Sequence, residues 1–204
     1  MNFDLIIRNE VQRYKVDSFY NKLVLDVGAH RGYFMEWALY KGARTVIGYE
    51  PIEDNYNAAN TLLEGKGNFS LSNSAIVRAD IDQTYYTSTP TDNTGGIPIG
   101  VEGKIKVDSS PLDSVLEVVQ PDILKIDAEG SEWPILFTNQ LWVNIPLIVG
   151  ELHPRPNVNF GEPIPGVVNY SLDEFAELMA KNRFKLELTR TMTGHPLYTF
   201  KAWK

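Results

Sequence analysis

The stretch VLDVGAHRGYF, Val24 to Phe34, begins as a strand, ends as a helix, and has its glycines and charges at the join. Residues 22–29, KLVLDVGA, are apolar and rich in branched side chains, which is typical of a strand buried on both faces. Residues Arg31 to Lys41 have helical spacing, and Gly42 follows them as a C-terminal glycine. A strand that turns through glycine into a helix predicts an α/β fold.

The rest of the chain repeats this alternation of strands and helices. Further strands are predicted at 45–51, 68–76, 122–130, 147–154, 185–189 and 198–203. Further helices are predicted at 53–64, after the Ser110-Pro111 pair, at 132–140, and after the capping-box pattern of Ser171 and Glu174. Residues 85–107 carry Thr, Pro and Gly punctuation and are interpreted as a hairpin insertion. The pattern predicts a single domain over residues 1–204, with a mostly parallel three-layer sheet and an N-terminal extension at 1–21.

Composition narrows the range of functions. The chain has 204 residues, 43% of them hydrophobic, and a formal net charge of −7, which argues against a broad surface for nucleic acid. It contains no cysteine, so disulfides, thiolate nucleophiles and cysteine-ligated zinc are excluded. No apolar run is long enough to span a bilayer, and the N-terminus lacks the apolar region of a signal peptide. We therefore expect a cytoplasmic protein with a small-molecule or glycan partner and no membrane span.

The glycine turn predicts a nucleoside site. Gly28 and Gly32 bracket the start of a helix, whose free N–H groups can meet a ligand, and Asp26 lies at the strand end. Glu50 ends the next predicted strand, where an acid can accept hydrogen bonds from ribose hydroxyls. The spacing departs from G-x-G-x-x-G, and Asp26 would repel a pyrophosphate, so a cationic adenosyl ligand fits better than a nicotinamide dinucleotide. The alternative is a turn whose glycines serve packing alone.

Acidic residues end two later strands. Alternation puts Lys125, Asp127 and Glu129 on one face of the first strand, and Glu151 and His153 on one face of the second. Ligands bind beyond the carboxyl ends of parallel strands, so these residues are candidates for catalysis.

Two chemical routes stay open at these strand ends. His153 is the base best matched to neutral pH, with a histidine that merely closes the strand as the alternative. Asp127, Glu129, Glu151 and His153 together suit a divalent cation, Mg or Mn, that would activate a hydroxyl. For Lys125 the alternative is an ion pair with Asp127, and Glu132 is interpreted as a first-turn acid favoured by the helix dipole.

Residues 153–170 are interpreted as the acceptor loop. They lack helical or strand periodicity and carry Arg155, Asn157 and Phe160, which together suit the hydroxyls and apolar face of a sugar. We expect this loop and the 85–107 hairpin to form the acceptor side of the pocket. The alternative is a surface connection without a role.

Between Val24 and Pro154 the chain resembles the FkbM-type S-adenosylmethionine-dependent methyltransferases. The motifs occur in the family's order: LDVGAHRGYF, GYEP, SNSAI, SSPLDSVL, DILKIDAEGSEWPIL and IVGELHP. The resemblance implies a Rossmann-like class I methyltransferase fold with strand order 3-2-1-4-5-7-6, in which strand 7 is antiparallel. It also implies transfer of a methyl group to a hydroxyl oxygen.

The resemblance further implies a set of cofactor contacts. Asp26, Gly28 and Gly32 would surround the methionine part of S-adenosylmethionine, and Glu50 would hold the ribose. The adenine would lie near the SNSAI motif, at residues Asn73, Ser74 and Ala75. His30 stands where the family leads us to expect asparagine, and it is included among the cofactor-binding candidates.

The predicted function is therefore an S-adenosylmethionine-dependent O-methyltransferase that acts on a sugar or similar polyhydroxyl acceptor. The alternatives are a non-catalytic adenosylmethionine-binding module and, less favoured, an NAD-dependent oxidoreductase.

Overall fold

The structure is a computed structural model that describes residues 11–87, 99–154, 158–191 and 197–204. Its strands in chain order are β1 (Leu23–Val27), β2 (Thr45–Tyr49), β3 (Phe69–Ser72), β4 (Ala75–Val77), β5 (Tyr85–Thr87), β6 (Ile105–Val107), β7 (Ser109–Pro111), β8 (Ile123–Ile126), β9 (Leu147–Leu152), β10 (Lys185–Arg190) and β11 (Tyr198–Trp203). Its helices are α1 (Tyr33–Tyr40), α2 (Glu53–Leu63), α3 (Leu112–Leu116), α4 (Glu132–Thr138) and α5 (Leu172–Lys181), with a 3-10 helix at Leu141–Asn144.

Seven strands form the central sheet, in the order β3-β2-β1-β8-β9-β11-β10. Strand β11 runs antiparallel to both of its neighbours, and the other neighbouring pairs are parallel. When only these seven strands are numbered, the order is 3-2-1-4-5-7-6, so the predicted topology is confirmed. This order puts β1 beside β8 at the centre of the sheet, where a pocket forms in open α/β folds.

The sheet separates two hydrophobic layers, as strand alternation requires. Leu25 and Val27 of β1 pack into the layer that contains α3, α4 and α5, whereas Val24 faces the other layer. This second layer is built from α1 and from the segment 11–19, which covers the face of β1, β8 and β9. Residues 11–19 of the predicted N-terminal extension are thus part of the core.

Local backbone features explain where two of the helices begin. The Ser171 hydroxyl accepts a hydrogen bond from the Glu174 N–H, and the Glu174 carboxylate accepts one from the Ser171 N–H, which confirms the predicted capping box of α5. Helix α1 starts at Tyr33, two residues later than predicted, because Gly32 has a φ of +82° and cannot be helical.

Two predicted boundaries are wrong. Ser110 does not cap a helix: Ser109–Pro111 forms a strand that pairs with β4, and helix α3 follows at Leu112. The predicted strand 68–76 is broken into β3 and β4, which belong to different sheets, because the chain turns at residues 73 and 74. In the hairpin insertion, Tyr85–Thr87 pairs antiparallel with Ile105–Val107, as predicted. Residues 88–98 lie outside the described residues.

None of the helices in the described ranges is long and apolar enough to cross a membrane.

Candidate active site

A cavity of about 300 Å³ opens at the carboxyl ends of β1, β2, β8 and β9. Residues from each strand end form its wall: Gly28, Glu50, Asp127 and Glu151. The parallel register explains this meeting, because equivalent ends of neighbouring parallel strands lie at one edge of the sheet. The predicted pocket at the switch between β1 and β8 is therefore present.

The turn after β1 is packed so closely that only glycine fits at position 28. Gly28 has a φ of +78°, and a Cβ built on it would lie 1.9 Å from the Asp127 carbonyl oxygen. The Gly28 and Ala29 N–H groups both donate to the Tyr49 carbonyl, at 3.0 Å. This turn therefore joins the ends of β1, β2 and β8 and shapes the floor of the cavity.

The Glu50 carboxylate is held rigidly at the wall of the cavity. Glu50 is 4% exposed, and its two oxygens accept hydrogen bonds from the His30 N–H at 2.7 Å and the Ile52 N–H at 2.8 Å. Burial raises the pKa of Glu50, and these backbone donors oppose that effect. The Asn55 side chain also donates to this carboxylate, whose two oxygens have about four acceptor positions in all, so a fixed acceptor for ribose hydroxyls is present.

The position of Asp26 differs from its predicted place beside the methionine part of the cofactor. It is fully buried, and its Oδ1 lies 3.0 Å from the Nζ of Lys125, its direct partner in the β1–β8 register. The Lys125 Nζ also donates to the Gly28 carbonyl at 2.6 Å. Asp26 is thus a structural counter-ion that holds Lys125 under the turn, and it is not part of the cavity wall.

The contacts of Lys125 differ both from the predicted ion pair with Asp127 and from a predicted role in catalysis. It pairs with Asp26, not with Asp127, because the neighbouring strand supplies a closer acid than its own strand does. Burial favours the neutral amine, yet Asp26 and Asp127 outweigh burial and raise the pKa of Lys125. A lysine that keeps its proton cannot serve as a base, so its role is to hold the turn.

Three further cofactor candidates lie behind the wall of the cavity. Gly32 faces Ala59, where a Cβ would come within 3.0 Å of the Ala59 Cβ, so it serves helix packing. The Asn73 side chain donates to the Glu50 carbonyl at 2.9 Å and acts on the site through Glu50. Ser74 is likewise outside the described wall, whereas Ala75 lies in it.

His30 does line the cavity. Its φ is +50°, an unusual value that histidine tolerates better than most residues. Burial lowers the pKa of its ring, with Arg31 and Lys125 adding to the effect, so the ring is neutral. Within the described residues its buried Nε2 has no hydrogen-bond partner, which makes it available to a ligand.

The acidic end of the cavity is built around Asp127 and Glu151. The residues Lys125, Asp127, Val149 and Glu151 share the sheet face that segment 11–19 covers, as alternation predicts. From that segment, the Tyr14 hydroxyl donates to Asp127 Oδ2 at 2.7 Å, and an Arg13 nitrogen lies 2.5 Å from Glu151 Oε1.

These two carboxyl groups have opposite pKa shifts. Burial opposes ionisation of Asp127. The positive charge of Lys125, the hydrogen bond from the Tyr14 hydroxyl and the charges of other positive groups together outweigh burial and lower the pKa of Asp127. Burial raises the pKa of Glu151 to about 7, and Asp127 adds to the effect while Arg13 opposes it. Neighbouring carboxyl groups with separated pKa values are a common arrangement for general acid and base.

The surroundings of His153 do not favour its predicted role as the base. Burial favours its neutral form, but Glu132, Asp127 and Glu129 outweigh burial and raise the pKa of His153 to about 10. Its Nδ1 lies 3.2 Å from Glu132 and its Nε2 lies 3.5 Å from Glu129, behind the described cavity wall. A ring that is already protonated at neutral pH acts as a fixed positive charge.

Glu132, interpreted from sequence as a dipole-favoured acid, holds the turn after β8. It is fully buried and accepts hydrogen bonds from the Ala128 N–H at 2.7 Å and the Gly130 N–H at 2.9 Å. This arrangement fixes Glu129 at a φ of +53°, which points to a constrained backbone at the site. Glu129 lines the cavity, and burial raises its pKa, with Asp127 adding to the effect.

Asp127, Glu151 and His153 each offer one ligand atom, and these atoms all lie within 4.8 Å of one another. The spacing is compatible with a divalent cation, as the sequence allowed. The Arg13 guanidinium already contacts Glu151, and its positive charge disfavours a cation at this group.

The predicted acceptor loop is anchored, but not through its predicted residues. Phe160 is 5% exposed and packs in the core, so it offers no face to a sugar. Arg155 and Asn157 lie outside the described residues. The anchor is Arg78, buried at 1% exposure, which donates to the carbonyls of Phe160, Glu162 and Pro163.

Sequence reasoning missed Arg13, Tyr14, Glu132 and Arg78. Arg13 and Tyr14 belong to no motif, because their partners lie more than one hundred residues away in the chain. Arg78 did give a signal, since an arginine directly after the apolar run Ala75–Val77 must find partners when the strand is buried.

The chain is similar in fold to several solved structures of methyltransferases. One is a putative S-adenosylmethionine-dependent methyltransferase from Listeria monocytogenes, with 13% identity, 97% of each chain covered and a TM-score of 0.57. Another is precorrin-6y C5,15-methyltransferase from Geobacter metallireducens, with 11% identity, coverage of 100% of this chain and 90% of that one, and a TM-score of 0.56. A third is magnesium protoporphyrin IX methyltransferase from Synechocystis with bound SAH, with 10% identity, coverage of 98% and 81%, and a TM-score of 0.55. At these identities the likeness establishes the class I methyltransferase fold alone.

The family profile of the methyltransferase FkbM domain matches residues 26–186. The chain therefore belongs to the FkbM methyltransferase family, whose members depend on S-adenosylmethionine. Among curated protein sequences, none matches this chain.

The residues of the cavity fit S-adenosylmethionine. Glu50 offers fixed acceptors for ribose hydroxyls, and His30 offers an unpartnered ring nitrogen. The apolar residues Ala75, Ile76 and Ile99 lie in the same wall and suit an adenine ring. The acidic residues at the other end suit a positive sulfonium.

Proposed function

We propose that this protein transfers a methyl group from S-adenosylmethionine to a hydroxyl oxygen of a sugar or similar polyhydroxyl acceptor. The observation that carries the proposal is the Asp127–Glu151 pair at the cavity wall, with one carboxyl group ionised and the other titrating at about pH 7. Two adjacent carboxyl groups can accept hydrogen bonds from neighbouring hydroxyls of one acceptor.

In this mechanism Glu151 is the general base and Asp127 orients the acceptor. S-adenosylmethionine, when bound, supplies an electrophilic methyl group on a positively charged sulfur. The acceptor oxygen forms the new carbon–oxygen bond as the carbon–sulfur bond breaks with its electrons left on sulfur, and the hydroxyl proton passes to Glu151. A base with a pKa near the working pH is well matched to this transfer.

A divalent cation at Asp127, Glu151 and His153 is the alternative means of activating the hydroxyl. We propose the cation-free route because the Arg13 guanidinium already contacts both carboxyl groups of the pair. Turnover should therefore persist in EDTA. Loss of turnover in EDTA, restored by Mg or Mn, would favour the alternative.

The cofactor part of the proposal is tested by calorimetric titration with S-adenosylmethionine and, separately, NADH. Wild type should bind the first and not the second, and Glu50→Ala should weaken binding by about tenfold or more because the lost hydrogen bonds involve a charged group. Glu53→Ala, in the exposed first turn of α2, is the control and should bind like wild type. Binding of NADH alone would point to the oxidoreductase alternative.

The catalytic part is tested with Glu151→Gln in an acceptor screen among glycans and polyols. The expected result is a fall in kcat of about 10²-fold or more with unchanged affinity for S-adenosylmethionine. If wild type binds the cofactor but methylates no acceptor, the result would favour the alternative of a non-catalytic binding module.

A further inference from the structure

The N-terminal segment inserts a positive charge between the two acids of the site. One Arg13 nitrogen, Nη1, lies 2.5 Å from Glu151 Oε1, and the other, Nη2, lies 3.7 Å from Asp127 Oδ2. Nη2 also donates to the Tyr14 hydroxyl at 3.1 Å, and that hydroxyl donates to Asp127. The guanidinium therefore spans both carboxyl groups directly and through Tyr14.

The position of Arg13 is set by the packing of its neighbours. Val11, Tyr14 and Phe19 are each about 5% exposed and belong to the core layer that covers the sheet. The Tyr14 ring packs edge-on against Phe34 of α1, with centroids 5.4 Å apart. This packing, and not the ion pair alone, brings residue 13 to the wall of the cavity.

Arg13 lies beside a group of residues that could hold a cation. The ligand atoms of Asp127, Glu151 and His153 come within 4.8 Å of one another, which is close enough to share one divalent ion. Arg13 contacts two of these three residues. The positive charge of the guanidinium therefore opposes binding of an ion to the same pair of carboxyl groups.

We infer that Arg13 is a positioning residue that takes the place of a divalent cation between Asp127 and Glu151, so that segment 11–14 completes the acceptor end of the active site. Its catalytic consequence rests on the proposed function, whereas its effect on ion binding does not. A planar guanidinium keeps the two carboxyl groups in a fixed relative orientation, which an ammonium or a neutral side chain does less well.

The ion-binding test measures Mn²⁺ by titration calorimetry and electron paramagnetic resonance, on wild type, Arg13→Gln, Arg13→Lys and Tyr14→Phe. We expect Arg13→Gln to bind Mn²⁺ at least about tenfold more tightly than wild type, because one positive charge at contact distance has been removed. Arg13→Lys and Tyr14→Phe, which retain a positive charge at position 13, should bind like wild type. Equal Mn²⁺ affinity in wild type and Arg13→Gln would overturn the inference.

The kinetic test uses an acceptor from the glycan screen and the same variants. We expect Arg13→Gln to raise the acceptor KM or lower kcat by about tenfold, since misplacement at the reacting groups slows transfer. Its affinity for S-adenosylmethionine should stay at the wild-type value, and Arg13→Lys should recover part of the loss. Loss of cofactor affinity in Arg13→Gln, with a lowered melting temperature, would show a structural role only and would also overturn the inference.

The two proposals fail in distinguishable ways. If no hydroxyl acceptor is methylated, the proposed function is wrong, but the comparison of Mn²⁺ affinity between wild type and Arg13→Gln still tests the inference about Arg13. If Arg13→Gln binds Mn²⁺ as wild type does, the inference about Arg13 is wrong. The proposed function would still be supported by a loss of turnover in Glu151→Gln.

Discussion

The two ends of the cavity are built by different means. At the β1–β2 end, Glu50 is fixed by backbone N–H groups at residues 30 and 52, and Gly28 by backbone carbonyls of neighbouring strands. At the β8–β9 end, side chains from residues 13 and 14 reach Asp127 and Glu151 across more than one hundred residues of chain. A site made from backbone turns can be inferred from a short motif, whereas a side-chain network between distant segments cannot.

The ends also differ in charge. Beneath the first, Asp26 and Lys125 neutralise each other in a buried pair. At the second, the acids outnumber their positive partners, and Glu151 and Glu129 have raised pKa values as a result of burial and of neighbouring Asp127. We therefore expect substitutions at the first end to affect folding and cofactor affinity, and those at the second to affect turnover and pH dependence.

The largest effect is expected for Gly28→Ala. The added Cβ would meet the Asp127 carbonyl at 1.9 Å, so the turn must open, and we expect a loss of unfolding free energy of about 5 kcal/mol or more. Gly65→Ala is a matched control, since Gly65 has a similar φ of +72° with no described atom within 4 Å of an added Cβ. It should cost about 1 kcal/mol, from backbone conformation alone. Chemical denaturation of both variants measures the difference, and similar losses would contradict the packing argument.

The second largest effect on stability is expected for Lys125→Met, because this change leaves the Asp26 carboxylate buried without its partner. We expect a loss of about 3–5 kcal/mol in unfolding free energy. The double variant Asp26→Asn, Lys125→Met should recover part of this loss, because the uncompensated charge is gone. If the double variant is as unstable as the single one, packing of the lysine stem and not charge explains the effect.

Arg78→Lys tests the anchor of the acceptor loop. A lysine cannot reach all of the carbonyls of Phe160, Glu162 and Pro163 at once, so we expect a loss of about 2 kcal/mol. Hydrogen exchange at residues 158–166 should become faster, while exchange in β1 stays unchanged. Arg190→Lys, at an exposed position of β10, is the control and should leave both quantities unchanged. Unchanged exchange in 158–166 of Arg78→Lys would show that other contacts hold the loop.

The smallest effect is expected in the pH dependence of stability at His153. Its pKa is raised to about 10 in the folded protein and is about 6.5 in an unfolded chain, so protonated His153 stabilises the fold fully below about pH 6.5. This contribution is lost as the pH rises from about 6.5 to 10. Wild type should lose roughly 2 kcal/mol between about pH 7.5 and 9.5, and His153→Gln should lose much less. Thermal unfolding at both pH values checks this.

Two other groups with raised pKa values do not interfere in this window. Asp26, with a pKa of about 6, and Glu151, at about 7, also bind protons in the folded state, and their contributions are lost mainly below about pH 7.5. An equal loss in wild type and His153→Gln between the two pH values would assign the pH dependence to other residues.

The sequence led to the correct fold because β1 and its glycine turn have a strong local signature. It also identified Asp127, Glu129 and Glu151 as one cluster, since alternation and parallel register together determine which residues meet at a sheet edge. It proposed His153 as the base and left a structural histidine and a divalent cation as alternatives, and it could not choose among them because the pKa of His153 depends on three carboxylates whose distances no pattern reveals. Phe160 was misplaced for a similar reason, since an irregular loop carries no periodicity from which burial can be inferred.

By itself the sequence determined the alternation of strands and helices, the glycine turn and the acidic strand ends, because these follow from local backbone preference and from the period of two along strands. The strand order was implied by the resemblance to the FkbM family. Only the tertiary structure decided that Asp26 neutralises Lys125, that Glu151 and not His153 has the pKa of a base, and that Arg13 and Tyr14 belong to the site. The physical reason is that burial and charge act over a few ångströms in space. The residues that come within those distances here are separated by up to 138 positions along the chain, from Arg13 to Glu151.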